Sequence, residues 1–116
     1  MYDDQNIFAR ILKQDIPCKK VSENEYYLAF EDLYPKAPIH ILIIPKGRYS
    51  DATDFHQNAA NEEIIGYYKG INDVVDQLKL SDGYRLITNC GYHGGQEVPH
   101  YHIHLLAGKK LHHSIV

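Results

Sequence analysis

The sequence predicts an α+β fold, a five-stranded, mainly antiparallel sheet with one short N-terminal helix and one long helix. Three observations carry this. Five short runs have strand character, residues 19–22, 25–31, 39–44, 84–89 and 100–106. One stretch, about 53–80, repeats at helical spacing. Strands and helices do not alternate as a parallel wound sheet requires, so the helices are expected on one face of an antiparallel sheet. At 116 residues the chain fits one domain, 1–116.

Taken in order, Asn6 can cap a helix over 7–13, in which Ile7 and Ile11 share a face beside Phe8 and Leu12. Pro17 ends it, because proline cannot extend a helical ladder. The turn-prone Glu23-Asn24 joins the first two strands. Pro35 and Pro38 bracket a rigid connection to Ile39-His40-Ile41-Leu42-Ile43-Ile44, whose nearly unbroken apolar content suits the centre of a sheet. In the long helix Ile64, Tyr68, Ile71, Val75 and Leu78 recur on one side, although its first turns are polar; Ser81-Asp82-Gly83 closes it. Residues 84–89 alternate as a strand, and Gly91, Gly94 and Gly95 form a loop before the last strand.

Composition narrows the function classes. Hydrophobic residues at 44% and charged residues at 23% exclude a disordered chain. A net charge of -3 without a basic run argues against nucleic acid or a membrane surface as partner. Cys18 and Cys90 have no spacing of a disulfide framework or zinc knuckle. The acidic start, Met1-Tyr2-Asp3-Asp4, is unlike a secretory signal, and no apolar run reaches the ~20 residues of a membrane span. Together these place the protein in the cytoplasm. Six of the eight histidines fall after residue 92.

The segment His100-Tyr101-His102-Ile103-His104-Leu105-Leu106 is the informative one. Alternate side chains of a strand share a face, so His100, His102 and His104 line one side while Tyr101, Ile103 and Leu105 pack on the other. Two chemistries compete. In the first, two histidines chelate a metal with help from His40, His93, His112 or His113. At about 3.3 Å per residue, His100 and His104 start roughly 13 Å apart, too far for all three to share one ion. In the second, a neutral imidazole attacks phosphorus while its neighbours donate hydrogen bonds to phosphoryl oxygens. The glycine loop ahead of the strand can turn backbone N–H groups toward an anion.

These residues resemble the signature of the histidine triad (HIT) superfamily, in which three histidines alternate with apolar residues and two more apolar residues follow. The likeness extends over Phe30-Glu31-Asp32, Pro35-Lys36-Ala37-Pro38-Ile39-His40, Ile44-Pro45-Lys46, Gly83-Tyr84-Arg85-Leu86-Ile87, Asn89 and Gly94-Gly95-Gln96-Glu97-Val98. It is nearest to the small phosphoramidase branch, the histidine triad nucleotide-binding proteins, in its bacterial form. The resemblance implies that His102 is a nucleophile forming a transient nucleotidyl-histidine, that His100 orients and polarises it, and that His104 and His40 contact phosphate oxygens. It implies that Asp32 binds the ribose hydroxyls and that Ile7, Phe8, Ile11, Phe30 and Leu33 enclose the base. Asn89, Gly95, Gln96 and Glu97 would line the phosphate and leaving-group side. Taken singly, Asp32 reads as a turn residue and Ile7, Phe8 and Ile11 as core. The implied substrate is a purine nucleoside phosphoramidate or related adenosine 5′-monophosphate derivative, with no cofactor and no metal. Other implied readings are a dinucleoside polyphosphate hydrolase and a purine nucleotide-binding module without turnover.

Three departures from the family pattern stand out. Glu97 replaces a common serine, Pro99 replaces the usual aromatic before the triad, and the tail after Lys109 is short. The resemblance also implies a homodimer with sheets joined edge to edge. Gly66 and Gly70, four apart on the long helix, allow close backbone approach either to a second copy or to the chain's own sheet.

Overall fold

In the computed structural model, which describes residues 1–113, the chain forms α1 (Ile7–Leu12), β1 (Lys20–Glu23), β2 (Tyr27–Glu31), β3 (Ile39–Pro45), α2 (Ala52–Asn58), α3 (Asn61–Gln77), β4 (Arg85–Ile87) and β5 (Ile103–Ala107). The last three positions assigned to the domain, 114–116, lie outside the described residues. The strands make one sheet in the order β1-β2-β3-β5-β4, with every neighbouring pair antiparallel. The apolar run of β3 occupies the centre as expected, and Ile41 to Ile44 are all buried. Among the described residues no helix is long and apolar enough to cross a membrane.

Alternation along β3 and β5 divides the molecule. Ile41, Ile43, Ile103 and Leu105 enter a core with Tyr27, Phe55, Tyr67, Ile71, Val74 and Tyr101. Leu42 and Ile44 face the other way, into a smaller core with Phe8, Ile11, Leu28 and Phe30. The helices therefore lie on both faces, α1 opposite α2 and α3, not on one face as expected. The cause is α1's short apolar stripe: Asn6 caps it, its Oδ1 accepting the Ala9 N–H at 2.8 Å, and Phe8 and Ile11 then need a surface of their own.

The single long helix expected over 53–80 is two helices. Asp51 starts α2 by accepting the Asp54 N–H at 2.8 Å, and Phe55 is its one buried residue. The chain then becomes extended at Ala59 and Ala60, whose ψ angles are 148° and 152°. Glu63 accepts the Ala60 N–H at 3.1 Å and begins α3. A straight helix cannot point both Phe55 and the Tyr67-Ile71-Val74 stripe at the same core, and the kink between α2 and α3 resolves that conflict. Gly66 and Gly70 settle against the chain's own sheet: a Cβ at either would overlap the ring of Tyr26 or Tyr27.

The last strand also starts later than expected, at Ile103. Ile43 pairs with Ile103, so Pro45 would face Tyr101 in a continued ladder, and proline has no N–H to contribute. Tyr101 instead donates its N–H to the Tyr49 carbonyl at 2.8 Å. Residues 100–102 keep an alternating arrangement without the ladder: Tyr101 is in the core beneath α2 and α3 while His100 and His102 face α1. The fourth strand is confined to Arg85–Ile87, shorter than the 84–89 expected.

Candidate active site

Four histidines gather on the α1 face. His40 is carried by β3 and His104 by β5, with His100 and His102 on the segment leading into β5. His40, His100 and His102 are buried, and His104 is half-buried. The rings of His102 and His104 are 5.1 Å apart, and those of His40 and His104 5.2 Å. Phe8 of α1 stands edge-on to His102, its centroid 5.0 Å away, and packs against Phe30 at 5.7 Å.

Their partners assign the protons, since a carbonyl can only accept and an amide N–H can only donate. The His100 carbonyl lies 2.7 Å from Nδ1 of His102, so that nitrogen carries the proton and Nε2 carries the lone pair. His100 donates from Nε2 to the Pro45 carbonyl at 3.0 Å, and its Nδ1 accepts the Tyr2 hydroxyl at 2.6 Å. Nδ1 of His40 accepts the Lys36 N–H at 3.0 Å, which puts its proton on Nε2. That Nε2–H donates to Nδ1 of His104 at 2.9 Å, so His104 carries its proton on Nε2. Among the described residues two site atoms are left without partners: a lone pair on Nε2 of His102 and a donor on Nε2 of His104. No fully buried side-chain nitrogen or oxygen of the described residues lacks a partner, so both of these atoms are open to a ligand.

All four rings favour the neutral form. Burial holds His100 down at about 4, against the pull of its bond to Pro45. His104 is likewise held at about 4, by burial first and then by His102 and His40. Burial lowers His102 against its bond to the His100 carbonyl. It also lowers His40, outweighing the Asp32 carboxylate, so the 3.4 Å approach of His40 to Asp32 is a contact of a neutral ring and not an ion pair.

Ligand atoms of Asp32, His40 and His104 lie within 4.8 Å of one another, the spacing a metal ion needs. The hydrogen bonds oppose that use. The Lys36 amide on Nδ1 of His40 fixes a proton on Nε2, the very atom that would have to bind. This donor set passes a proton-bearing bond to His104 and does not fit an ion.

The other expected site residues divide. Phe8 and Phe30 line the histidine face, whereas Ile11 is core beneath α1. Ile7 and Leu33 are exposed, Leu33 at 73%. Asp32 accepts the Tyr34 N–H at 2.7 Å, the turn-residue bond, and keeps its second oxygen beside His40. Gln96 is fully engaged, donating to the Ser50 and Val98 carbonyls while accepting the Gly91 N–H. Asn89 donates to the Gly94 carbonyl at 2.7 Å. These two amides pin the glycine loop, with Gly95 at a φ of 76°, and Glu97 stays exposed on it. Sequence reasoning missed Tyr2, the Lys36 amide and the Pro45 carbonyl; none has a local signal, because each acts on a partner distant in sequence or through its backbone.

A family model for the HIT domain matches residues 13–111. An uncharacterised 13.2 kDa HIT-like protein of Azospirillum brasilense is 50% identical over 111 residues, covering 95% of this chain and 91% of its own. The solved structure of a HIT family hydrolase from Clostridium thermocellum superposes with a TM-score of 0.86 at 37% identity, covering 98% of this chain and 99% of that one. A histidine triad nucleotide-binding protein from Candida albicans superposes with a TM-score of 0.77 at 30% identity, covering 87% and 73%.

Proposed function

The chain belongs to the HIT family, and from that premise we propose that it hydrolyses purine nucleoside phosphoramidates and related adenosine 5′-monophosphate derivatives through a nucleotidyl-histidine. One observation carries the reading. His102 is held neutral with its Nδ1 proton tied to the His100 carbonyl, which leaves Nε2 as an unpartnered nucleophile beside the Nε2–H of His104.

In this reading Nε2 of His102 attacks the α-phosphorus and the P–N bond breaks, its electron pair leaving on the amine. The amine takes a proton from solvent water that the attacking water of the next step gives back. His104 donates to a phosphoryl oxygen as charge gathers there, and His40 holds the His104 tautomer that makes this donation possible. Water then attacks phosphorus, frees the nucleoside monophosphate and returns the lone pair to His102. Asp32 offers its carboxylate to the ribose hydroxyls. The base lies against Phe8 and Phe30, with Ile7 and Leu33 at the rim and Ile11 supporting from below. Gly95 presents backbone to the phosphate, with Asn89 and Gln96 bracing that loop, and Glu97 faces the leaving amine. The chemistry calls for no cofactor.

The chain works as a single domain and as a homodimer. β4 ends the sheet and leaves a backbone edge for a second copy, with Leu86, Tyr84, Ile65 and Tyr68 exposed. Two free cysteines suit the reducing cytoplasm.

Incubation with an adenosine phosphoramidate tests the activity. Release of adenosine monophosphate by the parent and retention of the bound nucleotide without release by His102→Asn support it. Binding without turnover by the parent contradicts it and leaves a binding module. Turnover of dinucleoside polyphosphates alone contradicts the leaving-group assignment.

A further inference from the structure

We infer that Tyr2 is a positioning residue for the histidine triad, its hydroxyl locking the ring of His100 and through it the carbonyl that orients His102. This rests on the reading of His102 as nucleophile. His100 is completely buried, and its ring has two polar atoms to satisfy. Pro45 accepts from one; the Tyr2 hydroxyl, 2.6 Å away, supplies the other. The Tyr2 ring also meets the His100 ring edge-on at 5.7 Å.

The arm that carries Tyr2 is tied down at several points. Arg48 forms a two-pronged pair with Asp4 at 2.9 and 2.8 Å, and its guanidinium lies 5.3 Å from the centre of the Tyr2 ring. The Asp3 carbonyl accepts both the N–H and the side-chain amide of Asn6, at 3.2 and 2.7 Å. Asn6 in turn caps α1, which presents Phe8 to His102. The arm therefore braces the triad twice, once through the His100 ring and once through α1.

These ties differ in weight. Arg48 and Asp4 are largely exposed, and exposed pairs contribute little. Removing the Tyr2 hydroxyl leaves a buried acceptor unmet, a much larger cost. The ring of His100 is then held by the Pro45 carbonyl alone, and the carbonyl holding Nδ1 of His102 loosens with it. The nucleophile remains in place but no longer in a single tautomer and orientation.

The experiment is Tyr2→Phe, measured for turnover of an adenosine phosphoramidate and by nitrogen NMR of the histidine rings. The expected result is a roughly tenfold fall in kcat with KM within about twofold, at temperatures where the variant is fully folded. The ring resonances of both His100 and His102 shift. Arg48→Gln gives a smaller loss. A kcat within about twofold of the parent, or His102 resonances that do not move, overturns the inference. So does a larger loss in Arg48→Gln than in Tyr2→Phe. If the parent turns over no substrate, the proposed activity fails by itself, and the ring resonances of Tyr2→Phe still decide whether Tyr2 positions the triad.

Discussion

The two faces of the sheet are built from the same strands and differ in how they close their polar groups. On the α2–α3 face, tyrosines bring hydroxyls into an apolar core and every one is matched inward. Tyr67 donates to the Ile43 carbonyl at 2.6 Å, Tyr101 bonds to Tyr68 at 2.8 Å, and Tyr27 bonds to Ser22 at 2.6 Å. Desolvation pushes the Tyr67 and Tyr101 hydroxyls up, so they stay protonated. On the α1 face, four histidines are matched just as carefully except at two atoms, Nε2 of His102 and Nε2 of His104. The contrast teaches that the site is a core with its hydrogen-bond accounting deliberately left open at two adjacent points, one a lone pair and one a donor.

That contrast is open to direct attack. The largest effect belongs to His102→Asn, which removes the lone pair and lowers kcat by more than about a thousandfold while nucleotide affinity, read by titration calorimetry, stays near the parent value. Next comes Phe55→Ala on the opposite face. Phe55 is fully buried among Tyr49, Tyr67 and Tyr101, and its loss costs about 3–5 kcal/mol in urea unfolding, with kcat per folded molecule unchanged. A kcat that falls with Phe55→Ala as it does with His102→Asn would show the faces to be one functional unit.

Acid separates the faces in a third way. His100 and His104 are held at about 4, whereas unfolded histidine takes its proton near 6.5. The unfolded chain therefore binds more protons between these values, so stability is full above about pH 6.5 and falls as pH drops toward 4. At about 1.4 kcal/mol per pH unit, His100 alone accounts for roughly 3 kcal/mol, and half-exposed His104 adds less than its depressed value suggests. Urea midpoints at pH 7, 6 and 5 measure this, and a flat profile over that span would contradict the neutral assignment. The smallest effect is Tyr67→Phe, which leaves the Ile43 carbonyl short of a donor and costs about 1–2 kcal/mol without changing kcat.

Much of this was legible in the residues. The alternation over 100–104 separates Tyr101 and Ile103 from the histidines, and that division survives although the ladder begins only at Ile103. Asn6 as a cap and the β3 run as the central strand are local signals, and both hold. The features that escaped are tertiary. Ala59 and Ala60 favour helix, yet the chain leaves it there so that Phe55 can enter the core. Gly66 and Gly70 fit a second copy or the chain's own sheet by spacing alone, and only the rings of Tyr26 and Tyr27 packed beneath them distinguish the two. Gln96 and Asn89 look like ligand-binding amides in a glycine loop, and their side chains brace that loop instead. Arg48 reads as a solvated charge; its partners Asp4 and Tyr2 lie more than forty positions away.

The most direct measurement is rapid quenching of turnover with adenosine phosphoramidate labelled at the α-phosphorus, followed by peptide mapping under alkaline conditions. The account predicts label on the peptide that contains His102, bonded to a ring nitrogen and absent in His102→Asn. Turnover at the parent rate with label on no side chain, or on a residue other than His102, would contradict it.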